Sequence, residues 1–234
     1  MPHREEPRRN RLLAALGDAE WQRLHPDLES VSLGVGLVLG EPGERVGHAV
    51  FPTTAIVSLL HRLEDGGCAG VAVVGFEGMV GACIVLGGES MPHRAVVQCA
   101  GRGWRVPAHA LLDVLQRSAA WQRQLLRYAQ ALLAQIAQTA VCNRHHSLDQ
   151  QLCRWLLTSL DRLEGPDVVV TQELIAHMLG VRREGVTEAA GHLQQAGLIR
   201  YRRGRITVLD IDGLLRRSCE CHRLVQREYE RLLP

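Results

Sequence analysis

The segment Thr171–Asp210, TQELIAHMLGVRREGVTEAAGHLQQAGLIRYRRGRITVLD, constrains the fold more than any other stretch of the chain. Thr171 can cap a helix, because its hydroxyl accepts a hydrogen bond from a backbone N–H of the first turn. Leu174, Ile175, Met178 and Leu179 follow at helical spacing and give a first helix one apolar face. Gly180 ends that helix, since glycine takes a positive φ without strain. A second helix begins near Arg182. Its Val186, Ala189, Ala190 and Leu193 share an inward face, which turns Arg182, Arg183, Glu184, Thr187 and Glu188 outward near its start. A hairpin follows, Leu198–Tyr201 against Arg205–Leu209 with its turn at Gly204, and it carries Arg200, Arg202, Arg203 and Arg205. Two helices about a glycine are by themselves a common packing unit. With a basic hairpin added they have the layout of a winged helix-turn-helix, whose second helix sets its first residues against base edges in the major groove. The implied partner is double-stranded DNA. The outward residues of the second helix are the candidate base readers, and Thr171 with the hairpin arginines are the candidate phosphate contacts.

The abundance of arginine is weaker evidence than its placement. All 27 basic residues are arginine and no lysine occurs, a chain-wide bias that says nothing about phosphate. Net charge is only +2, so a nucleic-acid surface must be local. A chain of 234 residues holds one large or two modest domains with real cores. No apolar run is long enough for a membrane span, and the start, MPHREEPRRNR, lacks the apolar core of a signal peptide, so a cytoplasmic protein without a membrane partner is expected. The seven cysteines are then expected as thiols. Cys68, Cys83, Cys99, Cys142 and Cys153 stand singly and read as small buried hydrophobes. Cys219 and Cys221 form a CxC with His222 beside it, but a closed zinc site needs four ligands, so no metal ligand is assigned. His145 and His146 read as a solvated junction between helices. No GxSxG, HExxH, Walker loop or GxGxxG is present, which argues against an enzyme.

Three regions separate by period. Residues 8–25 read as short helices with Leu12, Leu13, Leu16, Trp21 and Leu24 on one side. From Leu28 to Val106, short apolar strands alternate with glycine turns, the pattern of a barrel or sandwich. Pro107 opens a helical region, and neither glycine nor proline interrupts Ala108 to Glu164. Within it Leu125, Ala129, Leu132 and Ile136 alternate steps of four and three, the seam of a coiled coil, and are the expected homodimer interface. A second stripe, Leu126, Leu133, Ala137 and Val141, is left to face the barrel. The fold class is α+β: an N-terminal jelly-roll-like β-roll, a long dimerisation helix and a C-terminal winged helix-turn-helix. The alternative function is a dimeric interaction module that uses the winged helix for protein contact.

This order of parts resembles the Crp/Fnr family of bacterial transcription regulators. In the barrel the matching pieces are Phe51-Pro52, Ser58, Glu64-Asp65-Gly66 and Gly75 through Gly81. Behind it they are Asp149-Gln150-Gln151-Leu152, Thr171-x-Glu173-x-x-Ala176-x-x-Leu179-Gly180, Arg183-Glu184-x-Val186-Thr187, Gly197-Leu198-Ile199 and Arg203-Gly204-x-Ile206. The resemblance implies a β-roll sensor over residues 1–117, a dimerisation helix and hinge over 118–146 and a DNA-binding domain over 147–234. It implies base contacts from Arg183 and Glu184, and RNA polymerase as a further partner if the protein activates. Glu188 stands where catabolite-activator-like members have arginine, so their operator sequence does not carry over.

The resemblance also points to an effector pocket around Gly78, Met79, Gly81, His93 and Arg94. Cyclic-AMP-binding members use a Gly-Glu-x-Gly turn and an Arg-Ser/Thr-Ala segment. Here the turn is Gly78-Met79-Val80-Gly81, with a thioether in place of the carboxylate, and His93-Arg94-Ala95 carries its arginine one place late. On a strand that shift moves the side chain to the other face. Cyclic AMP is therefore disfavoured, no cofactor is assigned, and a cyclic dinucleotide or a small apolar molecule is left as effector. An N-terminal iron–sulfur site is disfavoured because no cysteine precedes Cys68. Haem would need axial ligands; His48, His61, His93 and Pro2 exist, but none sits in a haem-specific motif.

Overall fold

The computed structural model describes residues 6–233, so Pro2 lies outside the described residues. After a 3-10 turn at Pro7–Arg9, Asn10 caps α1 (Arg11–Ala14), accepting from the Leu12 and Leu13 N–H groups. Its amide donates to the carbonyls of Pro52 and Gly78 at 2.9 and 2.8 Å, so this fully buried side chain is satisfied. Helix α2 (Asp18–Leu24) follows, and Leu12, Leu13, Leu16 and Leu24 are all buried against the barrel.

The strands are β1 (Glu29–Leu33), β2 (Val38–Gly40), β3 (His48–Pro52), β4 (Ile56–Arg62), β5 (Cys68–Val74), β6 (Arg94–Cys99) and β7 (Gly101–Pro107), with α3 (Ala82–Val85) between β5 and β6. They form two antiparallel sheets, β1-β7-β3 and β2-β6-β4-β5. In the second sheet the side-chain alternation of a strand divides the residues between two cores. Val57, Leu59, Ala72, Val74, Ala95 and Val97 fill the inside of the roll. Ile56, Leu60, Val73, Val96 and Cys99 face the other way, into a core shared with the C-terminal helices. That double burial is why these strands read as near-continuous apolar runs rather than as alternating ones.

Helix α4 (Ala108–Arg117) ends at Ser118, whose hydroxyl then caps α5 (Ala119–His145) by accepting from the Trp121 N–H. Ser147 and Gln150 form a reciprocal capping box on α6 (Leu148–Leu160). The faces of α5 are the reverse of the sequence expectation. Leu125, Ala129 and Leu132 are buried within the protomer, and Ile136 packs on the same core beneath the β-roll. Leu126, Leu133, Ala137 and Val141, expected against the barrel, are exposed. The reason is chemical: the inward stripe shares its face with Trp121 and Tyr128, whose buried polar atoms find carbonyl partners in Leu12 and Met79.

The C-terminal region comprises β8 (Asp167–Val169), α7 (Gln172–Leu179), α8 (Arg183–Gln195), β9 (Ile199–Arg202), β10 (Arg205–Val208), α9 (Ile211–Arg217) and α10 (Cys221–Leu232). Its small sheet has the order β8-β10-β9. Helix α7 lies on β5, and Gly70 is the close-approach point: a Cβ there would meet the Met178 carbonyl at 2.8 Å. Helix α10 runs back along α5 and delivers Tyr229, Leu232 and Leu233 to the core of the roll.

Candidate nucleic-acid interface and effector cavity

The helix-turn-helix forms where the local rules put it. The Thr171 hydroxyl accepts from the Leu174 N–H at 3.1 Å, and Gly180 closes α7 at φ +65°. Val186, Ala189, Ala190 and Leu193 of α8 are buried, whereas Arg182, Arg183, Glu184, Thr187 and Glu188 are exposed together at its first turns. The Arg183 Nε donates to Gln172 Oε1 at 3.1 Å, which holds the guanidinium at the junction of the two helices. Asp149 faces His192 of α8 and accepts from Arg217 of α9, tying α6 to both.

The wing is the hairpin β9–β10. Arg203 and Gly204 form its two-residue turn with φ of +49° and +75°, the pair of positive values that matches hairpin twist. Arg200, Arg202 and Arg203 are exposed. Arg205 differs from the phosphate-contact expectation: its guanidinium donates to Asp167 on β8 at 3.2 Å, so its charge is partly neutralised within the sheet. The Thr207 hydroxyl donates to the other Asp167 oxygen at 2.6 Å.

The expected effector residues separate. A cavity of about 310 Å³ opens between the roll and α5, walled by Leu59, Val71, Met79, Leu132 and Ile136, with Gly81 and His93 also at its surface. Gly78 is not part of it. Its carbonyl is held by Asn10, and the Tyr128 ring lies where a Cβ would project. Arg94 is not part of it either, and its guanidinium lies 3.2 Å from the Glu41 carboxylate. Two N–H groups of the 78–81 turn are already spent, Gly78 on the Gly75 carbonyl and Val80 on the Val50 carbonyl. The ionisable groups on the cavity wall are His61, His93 and Cys83. Burial, with a smaller push from His61, holds His93 down at about 4, so it is neutral at physiological pH. Burial raises the Cys83 thiol above its ordinary range.

The cysteines are not all scattered. Cys142, on the last turn of α5, and His146, which caps its end, meet Cys219 just before α10 and Cys221 at its first residue, with all four ligand-type atoms within 4.8 Å of one another. His146 is thus not a solvated junction residue; it is half-buried in this group, while His145 is exposed. His222 points elsewhere, 2.8 Å from Asp161. The i, i+4 spacing of Cys142 and His146 on one helix face was the available signal, but sequence could not bring it to the CxC.

A β-roll, a long helix and an exposed two-helix reading head with a basic wing define a class: regulators that bind DNA through a winged helix-turn-helix. Residues 150–217 match the family model of the Crp-like helix-turn-helix domain. The fold of the whole chain is similar to that of a transcriptional regulator described as of the Crp/Fnr family from Eubacterium rectale, at 17% identity and TM-score 0.69 over 88% of this chain and 97% of that one. It is similar also to FixK2 from Bradyrhizobium japonicum, at 16% identity and TM-score 0.71 over 82% and 98%, respectively. A third is CLP of Xanthomonas campestris, described as a c-di-GMP-responsive global regulator, at 14% and 0.62 over 83% and 100%. At these identities the likenesses speak to fold. Among curated protein sequences nothing matches. Residues 150–217 are therefore a Crp-like helix-turn-helix domain, set in a chain whose overall fold is that of these regulators. No helix among the described residues is long and apolar enough to cross a membrane.

Proposed function

We propose that the protein acts in the cytoplasm as a homodimer, reads a two-fold symmetric operator through the start of α8, and is modulated at the β-roll by a small apolar molecule and not by cyclic AMP. The observation that carries the reading is the tip of α8. Arg182, Arg183, Glu184, Thr187 and Glu188 are exposed together, on a helix whose other face is fully packed. Arg200, Arg202 and Arg203 of the wing supply phosphate contacts that position the helix without reading sequence. The dimer is supported by the exposed stripe Leu126, Leu133, Ala137 and Val141, which keeps helical spacing along α5 and would meet its own copy about a two-fold axis.

The effector reading rests on the cavity wall. A cyclic nucleotide or dinucleotide brings phosphodiester charge and ribose hydroxyls. Met79 can accept no useful hydrogen bond from such a hydroxyl, Arg94 is engaged by Glu41, and His93 is neutral. An unpaired anion in an apolar site is strongly disfavoured, whereas an uncharged apolar molecule fits the wall. Selection of bound fragments from the source genome, followed by titration at several salt concentrations, tests the DNA reading. A steep salt slope with a large sequence-dependent remainder is expected; equal affinity for all fragments would overturn it. Calorimetry with cyclic AMP should show no saturable heat at micromolar concentration.

A further inference from the structure

The end of the long helix and the start of the C-terminal extension meet in a group that DNA reading does not use. Cys142 Sγ lies 3.6 Å from Cys219 Sγ, and Cys221 Sγ lies 3.5 Å from His146 Nδ1. A tetrahedron with edges near 3.6 Å has its centre about 2.2 Å from each corner, against about 2.3 Å for a zinc–sulfur bond and 2.0–2.1 Å for zinc–nitrogen. The wider separations in the group stay within 4.8 Å. The three thiols are buried and the imidazole is half-buried, so hydration does not compete for them.

We propose that Cys142, His146, Cys219 and Cys221 form a structural site for one zinc ion. Three soft thiolates and an imidazole in tetrahedral disposition select a thiophilic four-coordinate cation, and a set with all four corners filled by protein leaves no open position for catalysis. Each thiol that binds gives up its proton to solvent as the metal–sulfur bond forms.

The surroundings point the same way. His146 presents its other nitrogen, Nε2, to the Glu220 carboxylate at 3.4 Å, the arrangement in which an outer carboxylate fixes the tautomer of a metal-bound histidine. Gln138 Nε2 donates to Cys221 Sγ at 3.1 Å, a hydrogen bond that stabilises a thiolate. Arg154 is buried, its Nη1 donates to the Thr139 hydroxyl at 3.4 Å, and its Nε has no hydrogen-bond partner among the described residues. Zinc with three thiolates carries one net negative charge, and the α6 guanidinium held at Thr139, one turn of α5 before Cys142, offers the opposite charge. The site would join α5 to the segment that follows the DNA-binding helices.

The test is metal analysis of the full-length protein purified without chelator, then titration of the metal-free protein with zinc or cobalt(II). One equivalent per chain is expected, and cobalt should give the visible bands of a tetrahedral, thiolate-rich centre. Cys142→Ser and Cys219→Ser should each lose that binding, Glu220→Gln should weaken it by about 10–100-fold, and Cys153→Ser should leave it intact. Should a ligand variant fail to fold, alkylation of the unaltered protein decides: chelation should expose three more thiols than the metal-loaded form. Absence of metal, full binding by Cys142→Ser, or a Cys142–Cys219 disulfide in protein that takes up no metal would each overturn the proposal.

Discussion

Helices α5 and α8 are both two-faced, yet their outer faces differ in kind. On α8 the outer face begins with arginine, glutamate and threonine, and the inner face is small and aliphatic. On α5 both faces are apolar: Leu125, Ala129 and Leu132 are buried within the protomer, and Leu126, Leu133 and Val141 lie in the open. A polar outer face is complete in water and needs a partner only to function. An apolar one is uncomfortable until it is covered. The difference separates the surface expected to meet nucleic acid from the surface expected to meet a second copy of the chain.

The largest effect should come from charging the outer face of α5. Leu133→Glu would set a carboxylate against its own copy in the dimer, and sedimentation should show monomers. Operator affinity should drop by roughly 10³-fold or more, since one half-site's contacts amount to several kcal/mol. Leu132→Glu, one residue away on the inner face, should instead cost folding stability, about 2–5 kcal/mol by thermal or urea unfolding. A stable dimer of Leu133→Glu would move the interface off this face.

A smaller effect should separate reading from anchoring on the DNA-binding region. Glu184→Ala should relax base preference at one position of each half-site, with a loss of about 1–3 kcal/mol. Arg202→Ala should weaken all sequences alike and reduce the salt slope by about 1. An unaltered base preference in Glu184→Ala would remove α8 from the role of reader.

A third test belongs to the cavity beneath the inner face of α5. His93 titrates near 4 in the fold and near 6.5 when unfolded, so the unfolded chain binds the extra proton first as pH falls. Its contribution to stability should be complete above pH 6.5 and lost between there and pH 4. Proton NMR of the imidazole, with the unfolding midpoint compared between His93→Gln and the unaltered chain across that window, checks this. Titration of His93 at 6.5 in the folded protein would mean an open, hydrated cavity.

What could be seen in the sequence follows from how local each feature is. The helix-turn-helix and wing were legible because Thr171, Gly180 and the Arg203-Gly204 turn act through neighbours a few residues away. The β-roll was legible as short strands with glycine turns, and its double burial explains the unbroken apolar runs. The faces of α5 were not legible, because two apolar stripes of similar spacing compete and the choice is made by Trp121 and Tyr128 reaching partners over 109 and 49 residues of chain, respectively. The pairing of Arg205, a candidate phosphate contact, with Asp167 was not legible, because Asp167 belongs to a three-residue strand that periodicity does not reveal. The cysteine group was missed for the same reason, with 73 residues separating His146 from Cys219.

The return of α10 along α5 has a mechanical consequence. A reading head joined to its sensor by one linker can pivot in any direction. Here the chain enters that region at Ser147 and leaves it at Ser218, and both neighbouring segments, α5 and α10, are anchored in the same core. Two fixed attachments define an axis, as two hinges do for a door. Rotation about the line between them is the motion that keeps both anchors, and it has to slide or part the contact of α7 with β5 at Gly70.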